Sequence, residues 1–365
     1  MRLWLALLLA SSLTLTAHAQ DAPAGEDEPA PEPKDGQQGG EEGGKRGDEK
    51  PPEQEDKGFD EEADYLALAD APVFLPRSYL YWGTATGPKY AREDLTFALE
   101  YALHLSIYSN VRDVALNGRN WAGAATLTFE GDLRMLNSES KPVRMPSYRP
   151  NLNGQLFYVW HRPQPVLFGL RFALEHYSNG QEQCAFDRTQ PDESEACKQV
   201  TDAVTSPGRQ LNRINGNFAT NGYIFELYGR IHQTNSKGVA IGHLAVGFGA
   251  FGLMQRGSLA LEPYMRRLYG WGRLSLNLEA KKRFGWATLT ARLSGTYYPS
   301  TDGSTPNKSG SAEVVAGPYW LTGLGFFARY YAGRDFYNAF FVDNIQQFAA
   351  GLAWDGERPF KFKRD

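Results

Sequence analysis

An imidazole and a hydroxyl stand two residues apart, His176 and Ser178, near the end of the stretch VLFGLRFALEHYSNG that runs from Val166 to Gly180. In an extended strand residues i and i+2 share a face, so the two side chains would lie next to each other. A serine beside a histidine is the minimal equipment for acyl transfer. The ring nitrogen takes the hydroxyl proton, the oxygen attacks a carbonyl, and a third polar group holds the imidazole in the right tautomer. Asn212 opens the next expected strand, Leu211 to Thr220, and is the candidate for that third place, because consecutive strands usually pair. An amide is a reasonable orienting group near lipid, where a carboxylate would cost more to desolvate. The bland alternative is a His and a Ser that merely meet headgroups at a membrane rim. His104 and Ser106 repeat the spacing, but on the polar face of their own strand.

The strand that carries His176 and Ser178 has two distinct faces. Val166, Phe168, Leu170, Phe172 and Leu174 precede them on one; Arg171 and Glu175 lie on the other. An apolar outside and a charged inside describe a transmembrane β-barrel. The pattern recurs over Ser78 to Ala85, Leu95 to Tyr108, Trp121 to Met135, Asn151 to Trp160, Tyr223 to Ile231, Trp271 to Lys281, Trp286 to Tyr298, Gly310 to Pro318, Trp320 to Tyr331 and Asn344 to Trp354. With Thr220-Asn221-Gly222 taken as an Asn-Gly hairpin turn, the expectation is an all-β fold: an antiparallel up-and-down barrel of about twelve strands. Val239 to Met254 is glycine-rich and apolar, and fits either an extra hairpin or a loop on the outer leaflet. Glu100, Glu130, Asp132, Arg134, Arg171, Glu175, Glu226, Arg230, Glu279 and Arg292 all face inward. In a narrow lumen such charges must pair, which predicts a plugged interior and disfavours a pore.

Of the 365 residues, 42% are hydrophobic and 13% aromatic, and the net charge is −4. The mean hydropathy of −0.47 and the lack of a long apolar run after the leader argue against membrane helices. Residues 1–19 read as a signal peptide: Arg2, an apolar run from Leu3 to Leu15, and Ala17-His18-Ala19 as the cleavage site. Residues 20–73 form an acidic, low-complexity tail rich in Gly and Pro, expected to be disordered in the periplasm because it cannot bury enough apolar surface to offset its ordering entropy. Residues 74–365 are the expected barrel domain. The two cysteines, Cys184 and Cys197, are expected to bridge in an exported protein. No feature points to nucleic acid.

HYSNG at 176–180, followed by Asn212-Arg213, resembles the signature of the bacterial outer-membrane phospholipase A family. Leu136 to Pro142, Tyr148, Pro150 and Gln155-Leu156-Phe157 are similar to that family's segment before the catalytic hairpin. Tyr331-Ala332-Gly333, Tyr337, Asn344 and Gln346-Gln347 are similar to its last segment. The resemblance implies a calcium-dependent enzyme that hydrolyses acyl esters of membrane glycerophospholipids in the outer membrane and is active as a homodimer. It implies Ser178 as nucleophile, His176 as base and Asn212 as orienting group. For Ca2+ it implies carbonyl ligands from Gln181 and from a partner's Ser140 loop. The family's serine ligand, four residues before the triad asparagine, falls on Gly208, with Ser206, or Asp187, Asp192 or Asp202 in the enlarged loop, as substitutes. Other readings are a lipid A deacylase, which uses an acidic third residue, and a non-catalytic lipid-binding barrel.

Overall fold

The computed structural model describes residues 75–87, 95–111, 114, 119–136, 146–160, 166–204, 210–235, 240–254, 268–299, 305–318, 323–335 and 342–354. The leader and the acidic tail lie outside the described residues.

Twelve strands close into one antiparallel barrel, each paired to its sequence neighbours, with β1 meeting β12. They are β1 (Ser78–Thr86), β2 (Leu95–Ser109), β3 (Trp121–Leu136), β4 (Ser147–Trp160), β5 (Val166–Ser178), β6 (Ala219–Thr234), β7 (Ala240–Leu253), β8 (Gly272–Phe284), β9 (Ala287–Tyr297), β10 (Lys308–Pro318), β11 (Leu324–Arg334) and β12 (Asn344–Trp354). Closure leaves no free edge, so every strand finds a backbone partner on both sides, as a chain surrounded by hydrocarbon requires. The segments joining odd to even strands, among them 179–218 and 254–271, are mostly long. Those at the other end, such as 161–165, 235–239 and 285–286, are short. No helix among the described residues is long and apolar enough to cross a membrane.

The alternation seen in the sequence is realised in three dimensions. Phe168, Phe172, Phe225, Leu227, Leu276 and Phe348 are exposed on the outside, whereas Arg171, Glu175, Glu226, Arg230 and Glu279 are buried inside. The interior charges are paired. Arg171 donates to Glu226 at 3.1 Å, Arg134 forms a two-pronged bridge to Asp335, and Arg329 does the same to Glu100. Arg149 binds Asp132, and Glu279 gathers Arg292 and His243. Pairing of this kind is the condition for keeping charges in a low-dielectric lumen. His104 belongs to it: its ring bonds Thr128 Oγ1 at 2.9 Å and the Pro76 carbonyl at 3.1 Å, facing inward.

Two elements differ from expectation. Residues 211–218 are not strand, and Asn221-Gly222 is not a turn: β6 runs straight through it from Ala219 to Thr234. The glycine serves another purpose there. A Cβ on Gly222 would stand 2.4 Å from the Phe251 ring, which fills that place on the inner wall. Val239 to Met254 contributes one strand, β7, so the count stays at twelve.

Candidate active site

β5 carries His176 to the outer surface. The outward residues Phe168, Phe172, Leu174 and His176 are exposed, while Arg171, Ala173 and Glu175 between them are buried. Ser178, the last residue of β5, follows on the same face and is half-buried. The pair therefore looks away from the charged lumen and onto the outer surface of the barrel. It sits at the long-loop end of the barrel.

The antiparallel register decides which side chain faces the imidazole. Ser178 is opposite Ala219, so stepping two residues back to His176 means stepping two forward to Asn221. His176 Nδ1 and Asn221 Oδ1 are 2.7 Å apart. An amide oxygen can only accept, so Nδ1 carries the proton and, in the neutral ring, Nε2 keeps its lone pair. The structure does not bring Asn212 to His176. That asparagine is buried in the loop at 2% exposure, donates from Nδ2 to the Cys184 carbonyl at 3.0 Å and the Asp187 carbonyl at 3.4 Å, and accepts from the Ile214 and Asn215 amides. Its side chain is fully engaged in shaping the loop. The sequence signal for Asn221 was available in the outward series Leu227, Phe225, Tyr223, which reaches Asn221 when extended by one more step. The turn reading of Asn-Gly cut that series short.

Ser178 Oγ accepts from the Gly180 amide at 3.2 Å, and it makes no hydrogen bond to His176. Gly180 has φ +62°, a left-handed conformation that glycine adopts without strain. Across β4 the residue opposite Ser178 is Tyr148, whose ring stacks on Phe129 at 6.1 Å; Phe129 in turn meets Tyr101 at 6.0 Å. An aromatic row thus runs along the outer wall beside the serine.

The loop after Ser178 is ordered by its own contacts. Cys184 and Cys197 form a disulfide. Helix α1 (Glu195–Asp202) begins at Ser194, whose hydroxyl accepts from the Cys197 amide. Ala185, Phe186, Leu211 and Phe218 pack with Leu253, Leu268 and Val342 beneath it. Asn217 Nδ2 donates to Asp192 Oδ2 at 2.6 Å. Asp187 lies on the surface, and the Thr189 amide and hydroxyl hold its carboxyl below the usual range. Apart from Asp187, Asp192 and Asp202, only Gln181 among the predicted calcium ligands is described; it is half-buried and its amide donates to Asn179 Oδ1 at 3.4 Å. Ser140, Ser206 and Gly208 lie outside the described residues. No cluster of three or more His, Cys, Asp or Glu suited to a metal occurs among the described residues.

No protein-family profile matches the chain, and no curated protein matches it in sequence. Among solved structures, outer membrane phospholipase A from Escherichia coli is similar with a TM-score of 0.46 and 16% identity, covering 81% of this chain and 99% of that one. A Salmonella typhi outer membrane phospholipase dimer with bound calcium gives 0.45 and 16%, covering 81% and 98%. The β domain of the Bordetella autotransporter BrkA gives 0.32 and 14%, covering 76% and 97%.

Proposed function

We propose that the chain is an outer-membrane serine esterase that cleaves acyl esters of glycerophospholipids, with Ser178 as nucleophile, His176 as general base and Asn221 as the group that orients it. The observation that carries this reading is the 2.7 Å contact between His176 Nδ1 and Asn221 Oδ1 on the outer, apolar face of the barrel, with Ser178 two residues along the same face. Buried imidazoles inside a barrel are ordinary structural groups. One that is exposed among phenylalanines, and is held by a side-chain amide with its other nitrogen free, is set up to accept a proton.

In this mechanism a lipid ester lies against the aromatic row beside Ser178. The Ser178 oxygen attacks the acyl carbonyl as Nε2 of His176 takes its proton. Asn221 holds Nδ1–H and so keeps Nε2 pointed at the serine. His176 then returns the proton to the departing lysolipid alcohol, leaving an acyl-serine. Water, deprotonated by the same nitrogen, releases the fatty acid. The Gly180 amide, 3.2 Å from Ser178 Oγ, is the donor placed to meet the oxyanion. The Ser178–His176 hydrogen bond would form when substrate binds, as such catalytic bonds often do.

Calcium belongs to the same reading. Once Asn221 takes the third place, the position four residues before it is Asn217 rather than Gly208. The loop offers hard oxygen donors in kind: the Gln181 carbonyl, Asn217 with Asp192 on its amide, and Asn215 Oδ1, which is buried without a hydrogen-bond partner. Such donors suit Ca2+, and Gln181, Asn217 and Asp192 would hold it. A calcium ion bound there would supply positive charge toward the developing oxyanion. Activity as a homodimer is part of the proposal and rests on the resemblance alone.

Purified protein in micelles of phosphatidylethanolamine is expected to release fatty acid, and to do so far faster than from lipopolysaccharide. Release from lipopolysaccharide alone would favour a deacylase of lipid A, and release from neither would leave a binding barrel. Treatment with EGTA is expected to stop the reaction and added Ca2+ to restore it. Asp192→Ala is expected to raise the calcium concentration needed for half-activation by about tenfold, as the loss of one of few ligands implies. An unchanged calcium requirement in that variant would remove Asp192 from the site.

A further inference from the structure

We infer that Asn179 is the positioning residue that holds Asn221 against His176, and so the base toward the nucleophile, by tying the end of β5 to the start of β6; this rests on the esterase reading above. Asn179 follows Ser178 directly and is only 1% exposed. Its backbone amide donates to the Phe218 carbonyl at 3.2 Å. Its Nδ2 donates to the Gly216 carbonyl at 2.8 Å. Its Oδ1 accepts from the Phe218 amide at 3.0 Å and from the Gln181 amide at 3.4 Å. One buried side chain thus grips residues 216 and 218 from a point next to Ser178, and Gln181, a proposed calcium ligand, from the other side.

These bonds matter because of where the ladder ends. β5 and β6 pair from Val166↔Ile231 up to Ser178↔Ala219, and the last rungs carry His176↔Asn221 and Ser178. The top of a two-strand ladder frays unless something closes it. Past Ser178 the chain makes a forty-residue excursion, 179–218, before it returns as β6 at Ala219; β4 pairs with Ser178 through Tyr148, but β7 pairs with β6 only from Gly222 onward, so the ladder leaves the β6 side of the top rung unfixed. Asn179 closes it with a two-way side-chain clasp on the Gly216–Phe218 segment. That segment is itself braced from behind. Gln183 bridges to Gly216, the Asn217 amide donates to the Gln183 carbonyl at 2.7 Å, and the Gly216 amide donates to the Asn212 carbonyl at 3.3 Å. Asn212 holds the Cys184 carbonyl at 3.0 Å. A continuous path of hydrogen bonds therefore runs from the disulfide through Asn212 and Gly216 to Asn179, and ends one residue from the nucleophile.

The chemistry explains why asparagine suits the place. The side chain must donate to one carbonyl and accept from one amide on the same passing strand, with both ends buried. An amide does both without charge. Aspartate keeps the acceptor and loses the donor; alanine loses both.

The test uses the full chain in detergent micelles. Asn179→Ala is expected to keep heat-modifiable barrel migration, because the ladder below it is intact. It is expected to lower kcat for phospholipid hydrolysis by about tenfold to a hundredfold with KM little changed, the cost of a small misplacement of reacting groups. Asn179→Asp is expected to fall between Ala and wild type. A second readout does not need turnover. In ¹⁵N-histidine spectra the Nδ1 proton of His176, assigned by its loss in His176→Ala, is expected to exchange with water markedly faster in Asn179→Ala, as is the Phe218 amide. If the wild-type protein hydrolyses nothing but both exchange rates respond, the clasp stands and the esterase reading falls. If Asn179→Ala keeps wild-type kcat, or leaves the His176 Nδ1 signal unchanged, the clasp is overturned.

Discussion

Ser178→Ala is expected to lower fatty-acid release from phospholipid micelles on the order of 10⁴- to 10⁶-fold, the range seen when a serine nucleophile working with a base is removed, while the protein still migrates as a folded barrel. The alcohol is the only group in the proposed site able to form the acyl-enzyme. What residual rate remains would come from the Gly180 amide and from lipid held beside Tyr148, which stay in place. The variant should be structurally silent. Ser178 is half-buried on the outer face at the strand end, and its Oγ makes one hydrogen bond, from the Gly180 amide. Retained hydrolysis in this variant would move the chemistry elsewhere.

The second large effect separates two asparagines. Asn221→Ala is expected to lower kcat by about a hundredfold to ten-thousandfold, since loss of the orienting member lets the imidazole adopt the wrong tautomer or turn away. Its stability should change little, because the side chain stands on the outer surface of β6. Asn212→Ala is expected to do the reverse. It leaves the buried Cys184 carbonyl without its partner, at about 1–3 kcal/mol, and also unpairs the part-buried Asp187 carbonyl and two loop amides. The loop should open earlier on heating or with denaturant, and activity should fall only as far as the loop's bracing of Asn179 is lost. Measured side by side, kcat at low temperature and the loop's unfolding midpoint distinguish the two roles. If Asn212→Ala loses activity as Asn221→Ala is expected to, with its loop intact, the register argument fails.

The disulfide gives a related prediction of smaller size. Cys184 and Cys197 are 13 residues apart, and closing a loop of that size is worth about 3 kcal/mol in the chain-entropy picture. Cys184→Ser with Cys197→Ser is expected to loosen residues 183–204 to protease while the barrel resists, a difference that limited proteolysis followed by mass spectrometry reads directly.

Much of this architecture was legible in the residues, and the exceptions have physical causes. β5 was plain because Phe168, Phe172 and Leu174 alternate with Arg171 and Glu175, large apolar against charged. β7 was not, because between His243 and Phe251 its inward side is small rather than polar: Ala245, Gly247 and Gly249. A Cβ on Gly249 would stand 2.5 Å from Ser275 Oγ, so this wall of the lumen is thinned to admit groups from β8. Apolar against glycine does not look like alternation. The third site residue was missed for a similar reason. Asn-Gly marks a turn when the glycine must take a positive φ, but Gly222 is needed for space next to Phe251 and the strand continues. Placing His176 and Ser178 on one outward face needed only local periodicity. Their partner depended on the register across a long loop, which no local pattern encodes. The proposed calcium ligand is tied to that partner by spacing, so taking Asn221 in place of Asn212 moves the position four residues before it from Gly208 to Asn217.

The most direct measurement is covalent. Protein in phospholipid vesicles is treated with a long-chain alkyl sulfonyl fluoride, which partitions into the bilayer and reacts with activated serines, and the adduct is located by mass spectrometry. The predicted result is a single adduct on Ser178, formed at a rate that drops sharply in His176→Ala and Asn221→Ala but not in His104→Ala. An adduct on another residue, or one on Ser178 that forms as fast without His176, would contradict the proposed site.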